Sequence, residues 1–311
     1  MRNSITKILE CFSARTRKQS TGSTLHRFGI LLLPLLLGAC NKDVDFGEQY
    51  KKTVYIVNAT SYIGDHYFGA EADNIVISVY VASSEPIASD LKVRLMIDPY
   101  VLDSLNRLNA LSNSQYIDRE QLPEDNYAWP TAPIVTIKAG HQYGTLKIPF
   151  SFEGLDPDTY YALPLYVASN SAAYDINPDK QIMLYQINMI NDYSGVFNGS
   201  SSELPETENE RAVIKGVQPT LKALSKNTIR MPIHDNDNDI TTVGAEFMVL
   251  TVDADNNVRI SPWGAATVTD LGGSYYDPLT MKYLLNYQYK GKNIEEALTN
   301  INAPVTDSSE L

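Results

Sequence analysis

The sequence predicts an all-β protein: an N-terminal immunoglobulin-like β-sandwich, then a second antiparallel β-sandwich or barrel-like domain with a short C-terminal helix. Three observations carry this reading. Apolar and polar residues alternate over strand-length runs, as in Ile75/Ile77/Val79/Val81 and Leu91/Val93/Leu95/Ile97, which is the period of a half-buried strand. Clusters rich in Gly, Pro and Asp, such as Glu153-Gly154-Leu155-Asp156-Pro157-Asp158, separate those runs and favour turns. The two cysteines, Cys11 and Cys40, both lie near the N-terminus, so no disulfide framework or Cys-ligated zinc is available to the remainder, which must rest on ordinary apolar cores.

Taken in order, residues 1–39 read as a lipoprotein signal peptide. Arg27 precedes an apolar run from Leu31 to Leu37, too short to span a bilayer and bounded like an export signal. The ending Leu37-Gly38-Ala39-Cys40 resembles a bacterial lipobox. That resemblance implies cleavage before Cys40 and acyl chains on the new N-terminal cysteine, with the membrane as the partner. Residues 40–50 read as a polar tether, whose Lys42-Asp43 pair partly resembles an acidic export signal of surface lipoproteins, an incomplete match that leaves surface and periplasmic facing both open.

An immunoglobulin-like domain is expected over residues 51–190. Val54 and Ile56 open it, followed by the two alternating runs above. Val101, Leu102, Leu105 and Leu108 then recur at helical spacing, predicting a crossover helix between Tyr100 and Leu111. Strands resume at 134–138, 145–152, 160–168 and 181–190. Seven short strands with such spacing suit an immunoglobulin-like sandwich lacking its disulfide.

The second all-β block is expected over residues 191–303. Its strands are read at 193–199, 212–217, 228–233, 242–252, 258–263, 266–271 and 281–290, with Asp253-Ala254-Asp255-Asn256-Asn257 as a hairpin turn. Residues 293–300 read as one closing helix, with Ile294, Ala297 and Leu298 on one side. Residues 304–311 are a polar tail.

Charge excludes some functions. The chain holds 25 Lys and Arg against 37 Asp and Glu, a net charge of −12. Removing residues 1–39, with six basic residues and one acidic, takes this to −17. Such a surface repels nucleic-acid phosphates and anionic lipid, so membrane association falls to the acyl chains.

Catalytic motifs are absent from the sequence. His66, His141 and His234 are far apart and lack metal-ligand spacing. There is no Gly-x-Ser-x-Gly elbow and no phosphate-cradling glycine loop. Asp235, Asp237 and Asp239, with Glu246 at the twelfth position, imitate a calcium loop, and Ca2+ is the cofactor they would hold. Ile240 occupies the position where that loop needs glycine, and the flanks read as strands, so a solvated loop tip is the better reading. Tyr283, Leu285, Tyr287 and Tyr289 share a strand face and read as core. Loop aromatics are the better ligand candidates: Tyr127 and Trp129 beside Pro130, Trp263 between Pro262 and Gly264, and Tyr275-Tyr276 among glycines.

Three stretches carry a family resemblance. Val54-Tyr55-Ile56-Val57-Asn58-Ala59, Leu122-Pro123-Glu124-Asp125-Asn126-Tyr127 and Tyr161-Ala162-Leu163-Pro164-Leu165-Tyr166-Val167 resemble an N-terminal domain of Bacteroidota lipoproteins. The same domain type precedes the catalytic domain of family 18 endo-β-N-acetylglucosaminidases. Asn191-Asp192-Tyr193-Ser194-Gly195, Phe197-Asn198-Gly199 and the Tyr283–Tyr289 run resemble a second domain of unknown function. The resemblance implies an outer-membrane lipoprotein of a polysaccharide-utilisation system, near a porin-type glycan importer. The acidic catalytic motif of family 18 enzymes is missing, which implies the accessory part alone. The expected function is therefore non-catalytic glycan binding at the cell surface. The alternatives are a structural or adhesive partner of an outer-membrane complex, and a glycoside hydrolase whose carboxylates meet only in space.

Overall fold

A computed structural model describes residues 51–70, 73–113, 117–205, 207, 211–236 and 238–304. The signal segment, Cys40, the tether through residue 50, Asp237 and residues 305–311 lie outside the described residues. Among the described residues no helix is long and apolar enough to cross a membrane.

The first domain contains β1 (Thr53–Ile56), β2 (Thr60–Tyr67), β3 (Asp73–Ala82), β4 (Leu91–Ile97), helix α1 (Pro99–Ser112), β5 (Glu120–Gln121), β6 (Ile134–Ile137), β7 (Tyr143–Phe150), β8 (Tyr161–Asn170), β9 (Asp175–Ile176) and β10 (Ile182–Ile190). One sheet runs β7-β3-β1-β9; the other runs β2-β10-β8-β4-β6, with β5 beside β8. Alternation explains why they face each other. Val54, Ile56, Ile75, Ile77, Val79 and Val81 of the first sheet pack in one core with Leu91, Val93, Leu95, Leu163, Leu165 and Val167 of the second. This is the expected sandwich.

Helix α1 forms where its spacing indicated. Asp98 caps it by accepting the Tyr100 amide at 3.0 Å, and Pro99 occupies the first turn, both favoured at helix starts. Leu102 and Leu105 seat it on Ala162 and Leu184, outside the β8–β10 pair.

The second domain contains β11 (Gly195–Glu203), β12 (Val213–Val217), β13 (Thr220–Ser225), β14 (Thr228–Pro232), β15 (Phe247–Val252), β16 (Val258–Pro262), β17 (Val268–Asp270), β18 (Tyr275–Asp277), β19 (Lys282–Tyr289) and β20 (Lys292–Asn300). The sheet path is β16-β15-β14-β13-β11-β20-β19-β17, with β12 on β11 and β18 on β19. Its ends approach one another: the Ile260 amide donates to Asp270 Oδ2 at 3.0 Å, and the Val258 amide to the Ser274 carbonyl at 2.9 Å. The result is a nearly closed barrel. Phe197, Ile229, Met231, Met248, Leu250, Tyr283, Leu285, Tyr287 and Leu298 fill it, so the tyrosine face of β19 is core, as its pattern indicated.

The short C-terminal helix is corrected. Residues 292–300 form strand β20, antiparallel to both β19 and β11. Ile294 and Leu298 are four apart, a spacing that places two residues on one face of either a helix or a strand. The deciding residues are Glu296 and Asn300, buried between and beyond them: burial of polar side chains at even positions hid the strand's period.

Ion pairs join the two domains. Asp158, in the turn before β8, accepts from Lys222 Nζ at 2.9 Å and from Arg230 Nη2, both in the second domain. The Arg230 guanidinium is 2 % exposed and sits 5.1 Å from the Trp263 ring and 5.3 Å from that of Phe247. Asn191, between the domains, donates to the carbonyls of Ser225 and Thr228 at 2.6 and 3.1 Å.

Candidate functional site

The outer face of the β7-β3-β1-β9 sheet bears a row of three tyrosines. Tyr55 pairs in register with Tyr80, and Tyr80 with Tyr143. Each stands at an outward position: Val54 and Ile56 flank Tyr55, and Val79 and Val81 flank Tyr80, all four fully buried. Three neighbouring strands place the row across about 10 Å, the length of roughly two sugar residues. Tyr143 is 63 % exposed, and Tyr55 and Tyr80 are half-buried. The Tyr55 and Tyr80 rings lie 5.3 Å apart and tilt by 39°, a twisted rather than flat platform, as a right-handed sheet imposes.

Polar groups border the row. Tyr80 donates its hydroxyl to Gln142 Oε1 at 2.6 Å. Lys180 Nζ lies 4.8 Å from the Tyr55 ring centre. Burial, with the neighbouring Tyr80 second, raises the Tyr55 phenol above its ordinary value, so it keeps its proton at neutral pH. Beside Tyr55 opens a groove of about 740 Å³, lined by Lys51, Thr53, Tyr55, Ala82, Ser83 and Asn177. Aromatic faces with bordering amides and hydroxyls can stack on the C–H faces of sugars and bond their hydroxyls.

The sequence candidates are placed apart from this row, in three separate regions. Trp129 packs against the first core, and Tyr127, 9 % exposed, bridges to Phe150; both cap the core edge. Trp263 stacks on Arg230 at the domain junction and lines a pocket with residues 154–158. Alternation splits Tyr275-Tyr276: Tyr275 is 38 % exposed, whereas Tyr276 is interior against Tyr193 and Tyr283. Tyr55 and Tyr80 were missed because aromatic residues within alternating strands read as core, and Tyr143 because the strand was read from Thr145 whereas it starts at Tyr143. The usable signal was their phase, opposite to that of the buried valines and isoleucines.

The acidic run is engaged elsewhere. Asp235 pairs with Lys215, whose hydrogen bond is the main reason the carboxyl is held below the usual range. Asp239 accepts from Thr241, and Glu246 pairs with Lys290 at 3.2 Å. Asp237 is outside the described residues. Among the described residues, no group of three or more His, Cys, Asp or Glu converges as metal ligands would.

One buried constellation imitates catalytic chemistry. Ser201 Oγ lies 2.7 Å from His234 Nδ1, and His234 Nε2 lies 3.1 Å from Glu203 Oε1, an order resembling a serine–histidine–carboxylate relay. Ser201 is 0 % exposed inside the barrel and donates to Glu296 Oε1 at 2.6 Å, which also accepts from Tyr287 at 3.0 Å. A hydroxyl committed to that acceptor and shut from solvent cannot meet an acyl carbonyl. The constellation is a polar plug in the barrel interior.

Comparisons with known proteins agree with this architecture. A family model described only as an N-terminal domain matches residues 50–173, and a companion described only as a C-terminal one matches residues 181–302. No curated protein matches the chain. Among solved structures, a Bacteroides ovatus protein of unknown function shares 17 % identity at a TM-score of 0.55, over 83 % of this chain and 98 % of its own. A multidomain Bacteroides ovatus protein including DUF1735 shares 15 % identity at 0.53, over 77 % and 88 % of the two chains. A third protein of that organism, of unknown function, shares 17 % at 0.53, over 79 % and 89 %. At such identities the likeness is one of fold. The first domain thus matches a family model of an N-terminal domain and the second a model of a C-terminal one, in an all-β, two-domain architecture.

Proposed function

We propose that this protein is a non-catalytic glycan-binding lipoprotein and that the tyrosine row of its first domain is the stacking platform. The observation that carries the reading is the in-register alignment of Tyr55, Tyr80 and Tyr143 on a solvent-facing sheet. Cross-strand packing accounts for the Tyr55–Tyr80 pair, and the exposed Tyr143 that continues the row is what calls for another reason. Their twist suits a single, curved glycan chain. Cys40 would carry the acyl anchor at the end of the 40–50 tether, holding the two domains at the outer membrane beside a glycan importer that takes up the captured chain. The chain's net negative charge favours neutral polysaccharides over anionic ones.

The test is affinity gel electrophoresis and calorimetry over a panel of soluble polysaccharides. Tyr80→Ala, at the centre of the row, is expected to weaken retention about tenfold, in the range of lost aromatic hot spots. Trp129→Ala and Trp263→Ala are the controls, because their rings face the core edge and Arg230. Retention that survives Tyr80→Ala but falls with either tryptophan variant would move the site to the loops.

A further inference from the structure

We propose that the polar plug of the barrel is a proton relay: Glu203, His234 and Ser201 connect the buried Glu296 carboxyl to solvent, so that it gains and loses a proton while the barrel stays folded. The plug is then a pH-responsive element of the second domain, independent of the tyrosine row.

Glu296 is the group that needs such a path. It is 3 % exposed; Oε1 accepts from Ser201 at 2.6 Å and from Tyr287 at 3.0 Å, and Oε2 has no partner among the described residues. An unpartnered oxygen in a dry interior disfavours the anion, and burial pushes this carboxyl up to about 7. The group therefore changes charge near neutral pH, where solvent cannot reach it to carry the proton. A chain of exchangeable groups can. Ser201 Oγ lies 2.7 Å from His234 Nδ1, and His234 Nε2 lies 3.1 Å from Glu203 Oε1. Ser201 and His234 are buried, whereas the Glu203 side chain is 31 % exposed, so the chain is wet at its outer end.

The hydrogens line up for transfer. Ser201 has one hydrogen and donates it to Glu296, so its contact with His234 uses the hydrogen of Nδ1. A proton on Glu203 passes to His234 Nε2, the ring releases its Nδ1 proton to Ser201 Oγ, and Ser201 gives its own proton to Glu296 Oε1. One O–H bond breaks at Glu203 and one forms at Glu296. Ser201 and His234 end neutral, with the hydrogen bonds of the chain reversed, and loss of the proton runs back along the same atoms. The other ionisable groups facing the chain stand at its two ends. Asp235 Oδ1 lies 3.9 Å from His234 Nε2, and Lys215 of β12 pairs with Asp235 and acts on Glu203. Tyr287 of β19 is held well above its ordinary value, by burial first and the Glu296 charge second. It keeps its proton, and the His234 amide donates to its oxygen at 3.0 Å, so it is a fixed donor to Glu296 and not a carrier.

The test follows the infrared carbonyl stretch of the protonated Glu296 carboxyl in the full chain after a jump from about pH 6 to about pH 8, with Glu296→Gln identifying the band. Its rate of loss is compared with the rate at which the barrel opens locally, read from amide hydrogen exchange at Ser201 and Glu296 under the same conditions. The relay predicts a band lost about a hundredfold faster than the barrel opens, in the range that positioned proton carriers contribute. Ser201→Ala should slow the loss to the opening rate, and Ser201→Thr, which restores a hydroxyl, should recover it. His234→Gln offers Ser201 an N–H but cannot pass a proton on, so it should be slow as well. A band lost at the opening rate in the wild-type chain would overturn the relay. So would a loss as fast in Ser201→Ala and His234→Gln as in the wild type. Should Ser201→Ala fail to fold, the wild-type comparison and His234→Gln decide.

Discussion

Glu296 sits on β20 with 3 % of its surface exposed, and its Oε2 has no partner among the described residues. Burial pushes its carboxyl up to about 7, although the hydrogen bonds from Ser201 and Tyr287 pull the other way. Because the folded value lies above the unfolded one, the folded state holds the proton more tightly. That contribution is complete below about pH 4.5 and is lost as pH rises through about 7. A shift of this size corresponds to roughly 3 kcal/mol between those limits. The urea midpoint of the wild-type chain should therefore fall between pH 5 and pH 8, and Glu296→Gln should flatten that slope and unfold later at pH 8. Parallel slopes for the two chains would show that Glu296 does not titrate in the fold. Residues of this kind are hard to read in a sequence, since Glu296 within Asn293–Asn300 has the composition of a solvated helix face. Its burial follows from the barrel closing over it. Two members of the tyrosine row were more legible: the alternations around Tyr55 and Tyr80 were correctly phased, and outward phase alone distinguishes Tyr80 from its valine neighbours, whereas Tyr143 lay before the strand as it was read.

At the scale of elements, the strands with plain apolar alternation were legible, and those whose buried positions carry polar or missing side chains were not. β2 escaped notice because its inward residues include Gly64 and His66. Gly64 is the place where the Tyr185 ring lies against the backbone, since a Cβ there would come within 2.1 Å of its hydroxyl. His66 is satisfied in the core by Asp73 at 2.9 Å and Tyr185 at 3.2 Å. β20 was mistaken for a helix, yet the Lys290-Gly291 turn before it, with φ of 50° and 80°, is a two-residue hairpin signal. The hinge of the barrel sheet is Gly199. There β11 leaves β13 for β12 while keeping β20 on its other side, and an added Cβ would lie 1.9 Å from the Ala297 carbonyl oxygen. Backbone cannot yield as a flexible side chain can, so Gly199→Ala should destabilise the chain by about 3 kcal/mol, read as a lowered denaturant midpoint. Gly216→Ala, where a Cβ meets nothing within 4 Å, is its control and should move the midpoint far less. Equal effects at the two positions would mean that the close β11–β20 approach is not what requires glycine.

At the scale of the whole molecule, Asp158, Lys222 and Arg230 join the two domains and are expected to couple their unfolding. Burial alone would raise the Asp158 carboxyl, but the hydrogen bonds from Arg230 and Lys222 outweigh it, and the net displacement is downward. A depressed carboxyl contributes stability that is present above its unfolded value near 3.8 and lost as pH falls through the folded one, so the junction should be the acid-labile part. Arg230 is the more exposed to loss of its partner, because it is buried between Phe247 and Trp263 and its Nε has no acceptor among the described residues. Lys222, one quarter exposed, can turn to water instead. Asp158→Ala therefore leaves a buried, unpaired guanidinium, which costs about 3 kcal/mol or more. The expected result is a single cooperative unfolding transition in the wild-type chain and two separated transitions in the variant, followed by calorimetry at neutral pH. Adding Arg230→Met to Asp158→Ala removes the stranded charge and keeps an apolar stem against the two aromatic rings, so the double variant should recover part of the loss. If Asp158→Ala unfolds in one transition at the wild-type midpoint, the pair does not couple the domains. If the double variant is no better than the single, the loss lies in the geometry of the turn and not in the buried charge.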